Sequence, residues 1–447
     1  MPFSRFKIVH EWQDPLGARG EELRATWARL DILVNDESVT RVDDRFLKGV
    51  RDGIYGPLYP IAEWIAMNWW CLLHEVYSPR RTGREDYLRR HSLAVAYEGY
   101  VLPSLVIQPE GSCIHLQWQP SLFETSGVSF LSRGVATLER TALEEELRCF
   151  VSSVVARLED QGVTGTLLAE EWAALHTLDP EERAFCRAAA QLGCDPFSPS
   201  VDSIVEIVTG LADALSPPVM EEFFAMIAPK DLREQAQVLQ RFLDEAMAKG
   251  QEIESLPDLR REIINGMESA FQYEMPWEQG YRSAQRFRSL LAPAKNGIES
   301  VEDIGALLGI GNANWLHPIN RSTALPGQMN AAVVTGKKGS PTFAIREGDE
   351  PTRVFALCRA FYEYLMPTYS GAALVTPAYS ERQKANRAFA AEFIAPADQL
   401  RERLRSTGSV TDEYINELAG EFKTSSLVVR HQISNHRIAE IEETLPY

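Results

Sequence analysis

The chain reads as an α+β protein, mostly helical and built of several domains. Three observations predict this. Its 447 residues exceed the usual size of one domain, so two or three are expected. Strand-like alternation is concentrated before residue 139, and helical spacing takes over after it. Beyond residue 275, helical and strand-like segments mix again. The expected organisation is a mixed α/β unit over 1–138, a helical block over 139–275 and a further domain over 276–447.

In the first unit, the turn-rich stretch 53–60 leads into 61–73, which is too densely apolar for an exposed helix. Trp64, Trp69 and Trp70 are expected to pack in a core or an interface. Residues 78–90 form the densest basic run and read as a loop, either solvated or in contact with an anion or a partner. Segments 100–108, 113–118 and 127–132 have strand character. His115, between Ile114 and Leu116, reads as a packed strand histidine.

The helical block opens with Leu143, Leu147, Phe150, Val151, Val154 and Leu158 at three- and four-residue spacings. Asp179-Pro180-Glu181-Glu182 has the form of a helix start, with Asp179 as N-cap and Pro180 at the first helical position. Gly193 stands where a left-handed cap is common. More helices are expected over 201–272. The acidic runs 144–146 and 170–171 read as solvated faces, because adjacent side chains on a helix point in different directions.

In the last domain, 276–288 and 298–310 read as helical units. Residues 331–334 and 342–345 read as paired strands joined by the 336–339 turn. Gly309-x-Gly311 lacks the third glycine and the preceding strand of a dinucleotide fingerprint. The helix over 353–365 keeps one apolar stripe, Val354, Cys358, Phe361 and Leu365. A second helix spans 381–396 and ends in Ala-Ala-Glu-Phe-Ile-Ala-Pro. Residues 410–438 have the cadence of a helix-turn-helix.

Composition narrows the function classes. The chain is 45% hydrophobic and 24% charged, as soluble globular proteins are. With 45 basic and 63 acidic residues its net charge is −18, which argues against a broad nucleic-acid surface but leaves a local basic face open. Six cysteines show no C-x-x-C pair and read as reduced thiols of a cytoplasmic protein. The opening residues lack the apolar core of a secretory signal, and 57–73 contains Glu63 and Asn68, so no membrane association is expected.

The segments 276–288, 298–310, 353–365, 381–396 and 410–438 together resemble the ImmA/IrrE family of metallopeptidase-like proteins, over about 170 residues. The resemblance implies a zincin-like domain whose zinc motif, His-Glu-x-x-His, belongs on the 353–365 helix. There the sequence has Arg359, Ala360 and Glu363. Arginine cannot ligate a metal, and alanine offers no carboxylate as base. The family's third, acidic ligand comes from the next helix. Lys384 stands near that position, and Glu381 is the nearest substitute. His317 is a further candidate to face the old cleft.

Arg359 and Glu363 are one turn apart. They are expected either to pair in the former metal position or to face solvent. Elsewhere, His10-Glu11 and His74-Glu75 lack the second histidine of a zinc motif.

The resulting expectation is a pseudo-peptidase without a cofactor that acts by binding a protein partner, such as a regulator, a toxin or a complex subunit. The family's context is regulation of mobile elements, stress responses and phage-related repressors. One alternative is a zinc endopeptidase using Glu363 and Glu381. Another is a nucleic-acid-binding regulator that reads DNA through Arg430, His431, Asn435, His436 and Arg437.

Overall fold

Alternation makes the strands at the start of the chain. Phe6–Trp12 (β1) alternates half-buried and exposed residues and pairs antiparallel with Trp27–Val34 (β2), after a single turn of helix, Glu21–Ala25 (α1). The computed structural model describes residues 3–15, 18–78, 83–96, 99–120, 127–198, 201–265, 275–291, 298–310, 315–319, 329–336, 339–366, 371–405 and 407–442. Residues 79–82 of the basic run, Gly311, and Lys337 and Lys338 of the expected turn lie outside these. The chain divides into two compact units, Pro2–Thr209 and Gly210–Tyr447.

In the first unit, short strands follow β2: Glu37–Ser38 (β3), Val42–Asp44 (β4), Gly49–Arg51 (β5) and Ile54–Pro57 (β6). β3 and β6 both pair with β2. The apolar stretch 61–73 becomes two helices, Tyr59–Met67 (α2) and Trp69–His74 (α3), and Trp64, Trp69 and Trp70 are buried in the core as expected.

The basic run is not wholly a loop. Gly83 precedes a helix, Arg84–His91 (α4), with Glu85 and Asp86 in its first turn and Arg89 and Arg90 in its last, a charge order that suits the helix dipole. Ser104–Pro109 (β7), Cys113–Gln119 (β8), Val128–Phe130 (β9) and Gly134–Glu139 (β10) then make two three-stranded sheets, β10-β8-β7 and β5-β4-β9.

Arg140–Asp160 (α5) buries all six residues that its spacing selects. Leu167–Thr177 (α6) is capped by Thr166, and Pro180–Gln191 (α7) by a capping box between Asp179 and Glu182. Helices α5, α6 and α7 share one apolar core with the sheets of this unit. The segment 139–275 thus contributes to both units.

Asp202–Ala214 (α8) runs across residues 209 and 210. In the second unit, Pro217–Phe224 (α9), Leu232–Lys249 (α10), Leu256–Asn265 (α11), Pro276–Leu291 (α12) and Val301–Leu307 (α13) precede a four-stranded sheet. His317–Ile319 (β11) is parallel to Pro341–Arg346 (β13), and Ala331–Thr335 (β12) is antiparallel to β13. Glu350–Leu365 (α14) follows, then the other edge strand, Ala372–Val375 (β14), which pairs with β12.

Glu381–Ile394 (α15) packs against both α12 and α14. Phe287, Phe343, Phe361, Phe389 and Phe393 form the aromatic heart of this unit, all fully buried. Ala397–Arg403 (α16), Ser409–Val410 (β15), Asp412–Glu421 (α17), Ser426–Asn435 (α18) and Glu440–Ile441 (β16) enclose a smaller apolar cluster of their own. The architecture is mixed α+β.

Candidate functional site

Two caps fix which residues face each other between α14 and α15. The Asp349 side chain accepts from Thr352 N at 3.0 Å, and Ser380 Oγ accepts from Gln383 N at 3.2 Å. Set in this way, α14 turns Arg359 and Glu363 inward, only 4% and 1% exposed, and α15 turns Gln383 and Asn386 inward, both fully buried. The apolar stripe Val354, Cys358, Phe361 and Leu365 is buried on the same helix.

The Arg359 guanidinium is held by three oxygens. Nε donates to Asn386 Oδ1 at 2.7 Å, and Nη2 donates to Gln383 Oε1 at 2.6 Å and to the Thr376 carbonyl at 2.8 Å. Gln383 is itself fixed, accepting from Thr376 N at 3.0 Å and donating to the Leu374 carbonyl at 2.9 Å. The expected direct pair between Arg359 and Glu363 is replaced by a relay. Asn386 Nδ2 donates to Glu363 Oε1 at 2.8 Å, and Arg382 takes Glu363 Oε2 through Nε at 3.2 Å and through Nη2. The reason is geometric. Side chains one turn apart on α14 both find closer partners on α15.

Burial pulls the Arg359 pKa well below the ordinary guanidinium range, the nearby Arg387 adds to this, and Glu363 and Glu222 oppose it. Burial also acts to lower the pKa of Arg382, but Glu363 outweighs it and the net shift is upward. Behind this set lies a second buried carboxylate. Glu222, on α9, accepts from Thr376 Oγ1 at 2.8 Å and from Ser380 Oγ. Burial pushes its pKa up to about 7, against the Ser380 hydrogen bond and the charge of Arg382. Arg387 donates to the Ala378 carbonyl at 2.8 Å and lies over the Tyr379 ring.

These residues do not fit zinc. Arg359 offers only donors, Ala360 is packed in the core, and both oxygens of Glu363 already accept hydrogen bonds. Among the described residues no three His, Cys, Asp or Glu side chains converge as metal ligands.

No family model, curated protein or solved structure matches this chain.

The other expected site residues lie elsewhere. Glu381 and Lys384 sit on the first turn of α15, half-buried, and neither is among the residues that hold Arg359. His317 is in strand β11 rather than a loop, opposite Ala344, with its ring 6.0 Å from Phe242 of α10. Burial lowers its pKa, and Glu245 opposes the shift.

In the terminal helices, Arg430 pairs with Asp412, and Asn435 Nδ2 donates to Tyr281 Oη at 3.0 Å. His436 Nε2 lies 3.6 Å from Glu392. Glu392 also accepts from Gln285 at 3.1 Å and from Gln432 at 2.8 Å, joining α12, α15 and α18. Of the five candidate nucleic-acid contacts, His431 and Arg437 are exposed, and neither makes an ion pair of this kind among the described residues.

A separate buried charge cluster closes the α3–α4 corner of the first unit. Glu75 is fully buried and binds Arg90 at 2.8 and 2.6 Å and His91 Nε2 at 3.0 Å, and His91 Nδ1 faces the Ile107 carbonyl at 2.8 Å. Arg90, from the basic run, is thus spent on an internal carboxylate.

Thr376, Arg382, Gln383, Asn386 and Glu222 were not singled out by sequence reasoning. Gln383 and Asn386 are three apart, as residues sharing one helix face must be, and that spacing was the one available signal.

Proposed function

We propose that this protein is a non-catalytic, metallopeptidase-like regulatory or defence-associated protein that acts by binding a macromolecular partner. One observation carries the reading. At the place where the resemblance puts the first zinc ligand, a guanidinium is locked by three acceptors, two from α15 and one from the segment between β14 and α15. A built-in cation there satisfies the polar groups of the old cleft without a metal. Hydrolysis by the zinc-peptidase route would need a metal-bound water and a base, and Arg359 and Ala360 supply neither.

With the chemistry gone, the scaffold is left to bind. The partner class that the resemblance supports is a protein: a transcription regulator, a toxin or another subunit of a complex. The zinc endopeptidase alternative needs Glu363 as a ligand, and Arg382 and Asn386 compete for both of its oxygens.

The test is to incubate the purified full chain, with added zinc, with candidate helix-turn-helix repressors and to follow both cleavage and complex formation. Complex formation without cleavage is the expected result. Zinc-dependent cleavage that is lost in Glu363→Ala would return the protein to the peptidases.

A further inference from the structure

In a chain of net charge −18, two arginines of the first unit stand near one histidine without an acid. Arg140 is the first residue of α5, and Arg187 lies on α7, which packs against α3. Both act on His74, the last residue of α3. Arg140 Nη1 donates to the Gly111 carbonyl at 2.7 Å and lies 3.5 Å from His74 Nδ1. Its Nε and Nη2 make no hydrogen bond among the described residues. Arg187 uses only Nε, on the Arg183 carbonyl at 3.4 Å. Arg140 is half-buried, Arg187 is exposed, and neither makes an ion pair among the described residues.

The His74 imidazole is nine-tenths buried. Burial, then Arg140, then Arg187 lower its pKa to about 3, and no carboxylate opposes them. At His317 and His436, by contrast, a glutamate opposes the same effect of burial. Glu75, next to His74 in the chain, is held by Arg90 and His91. The Trp70 ring, itself nine-tenths buried, stacks on His74 with centroids 6.0 Å apart, and its Nε1–H is buried without a partner.

The start of α5 adds to this positive field. The helix has 21 residues, no side chain caps its first turn and no acid stands there. A helix start carries partial positive charge and favours an anion. The sequence puts the cation Arg140 there instead, so the dipole, two guanidiniums and an imidazole are all left uncompensated.

We propose that Arg140, Arg187 and His74 form a site for a phosphate-class dianion, either free phosphate or a phosphate carried on a partner molecule. Two charges on the ligand match two guanidiniums, the side chains best suited to phosphate oxygens. A tetrahedral ion takes donors from several directions, as α3, α5 and α7 supply them, whereas a carboxylate accepts in one plane. With Nδ1 accepting from Arg140, the neutral His74 ring carries its proton on Nε2 and offers a further donor. A bound dianion favours imidazolium and moves the His74 titration upward.

Calorimetric titration of the full chain with inorganic phosphate, at pH 7 and constant ionic strength, tests this. One saturable site is expected in the wild type. Arg140→Gln and Arg187→Gln should each weaken it about tenfold or more, the scale of one lost hydrogen bond to a charged group. Circular dichroism checks that both variants fold. Arg401→Gln, at an exposed arginine of the second unit, should leave the site unchanged. In protein labelled at its histidine rings, phosphate should raise the pH at which His74 titrates, and this shift should shrink in both arginine variants. Phosphoserine, titrated in the same way, separates the two sources: binding as tight as that of phosphate assigns the site to a phosphorylated partner, and binding of phosphate alone assigns it to the free ion. Absence of a saturable site overturns the proposal. So does a site that keeps its affinity in both Arg140→Gln and Arg187→Gln, a His74 titration that phosphate does not move, or acetate binding as tightly as phosphate.

Discussion

Arg359 is the residue on which the second unit's buried polar set depends. Its three bonds satisfy the Asn386 and Gln383 side-chain oxygens and the Thr376 carbonyl at once. Arg359→Ala would take the charged donor from all three, leaving buried Asn386 Oδ1 without this partner and Gln383 Oε1 with only the amide donors of Thr376 and Asn386. A loss of about 3–5 kcal/mol is expected, the scale of breaking a buried charged network by removing one partner. Arg359→Lys should recover only part of it, because an ammonium cannot reproduce the planar fork. Urea denaturation of the three proteins measures the differences. A loss in Arg359→Ala no larger than that of an ordinary surface substitution would mean that the network is ornamental.

Elements with a strong apolar rhythm are the ones that could be read in the sequence. The six buried residues of α5, the stripe on α14 and the Asp179 cap of α7 all follow from spacing or chemistry within a few residues. The strands β3 to β6 were not legible individually, since two to four residues are too few to establish a period. α4 reads as loop in the sequence because charge dominates its composition, yet the order of those charges suits a helix.

The candidate site was legible at Arg359 and Glu363 and not beyond. Gln383 and Asn386 look like solvent-facing residues until tertiary packing buries them, and Glu222 lies more than 130 residues from Arg359 in the chain.

The terminal helices allow a sharper expectation than their cadence did. With Arg430 tied to Asp412 and Asn435 to Tyr281, two exposed basic or imidazole side chains, His431 and Arg437, remain of the five. Loss of each phosphate contact should lower the salt dependence of DNA binding. Since so few cations are presented, no salt-dependent mobility shift is expected from the full chain. A shift that disappears in the Arg430→Ala/Arg437→Ala double variant would revive the DNA-binding alternative.

At the scale of the molecule, one buried group in each unit, His74 in the first and Glu222 in the second, should respond to pH with opposite sign. In the first unit, burial lowers the His74 pKa from 6.5 to about 3, with Arg140 and Arg187 adding to the shift. Its contribution to stability is fully present above pH 6.5, where the unfolded chain is also neutral, and is lost as the pH falls toward 3. In the second unit, Glu222 rises from 4.5 to about 7. Its contribution is fully present below pH 4.5 and is lost as the pH rises through 7. The shifts correspond to roughly 5 and 3 kcal/mol respectively.

Hydrogen exchange resolved by unit should show the first weakening in acid. The second should weaken toward neutral and alkaline pH by an amount that Glu222→Gln abolishes. A second unit whose pH response is the same in wild type and Glu222→Gln would show that Glu222 does not titrate in this range. No helix among the described residues is long and apolar enough to cross a membrane.

The most direct measurement is the metal content of the purified full chain after growth in zinc-supplemented medium, set beside that of Glu363→Ala. The proposal that the Arg359 guanidinium stands in place of a metal predicts no stoichiometric zinc in either protein. One zinc per wild-type chain that disappears in Glu363→Ala would contradict it.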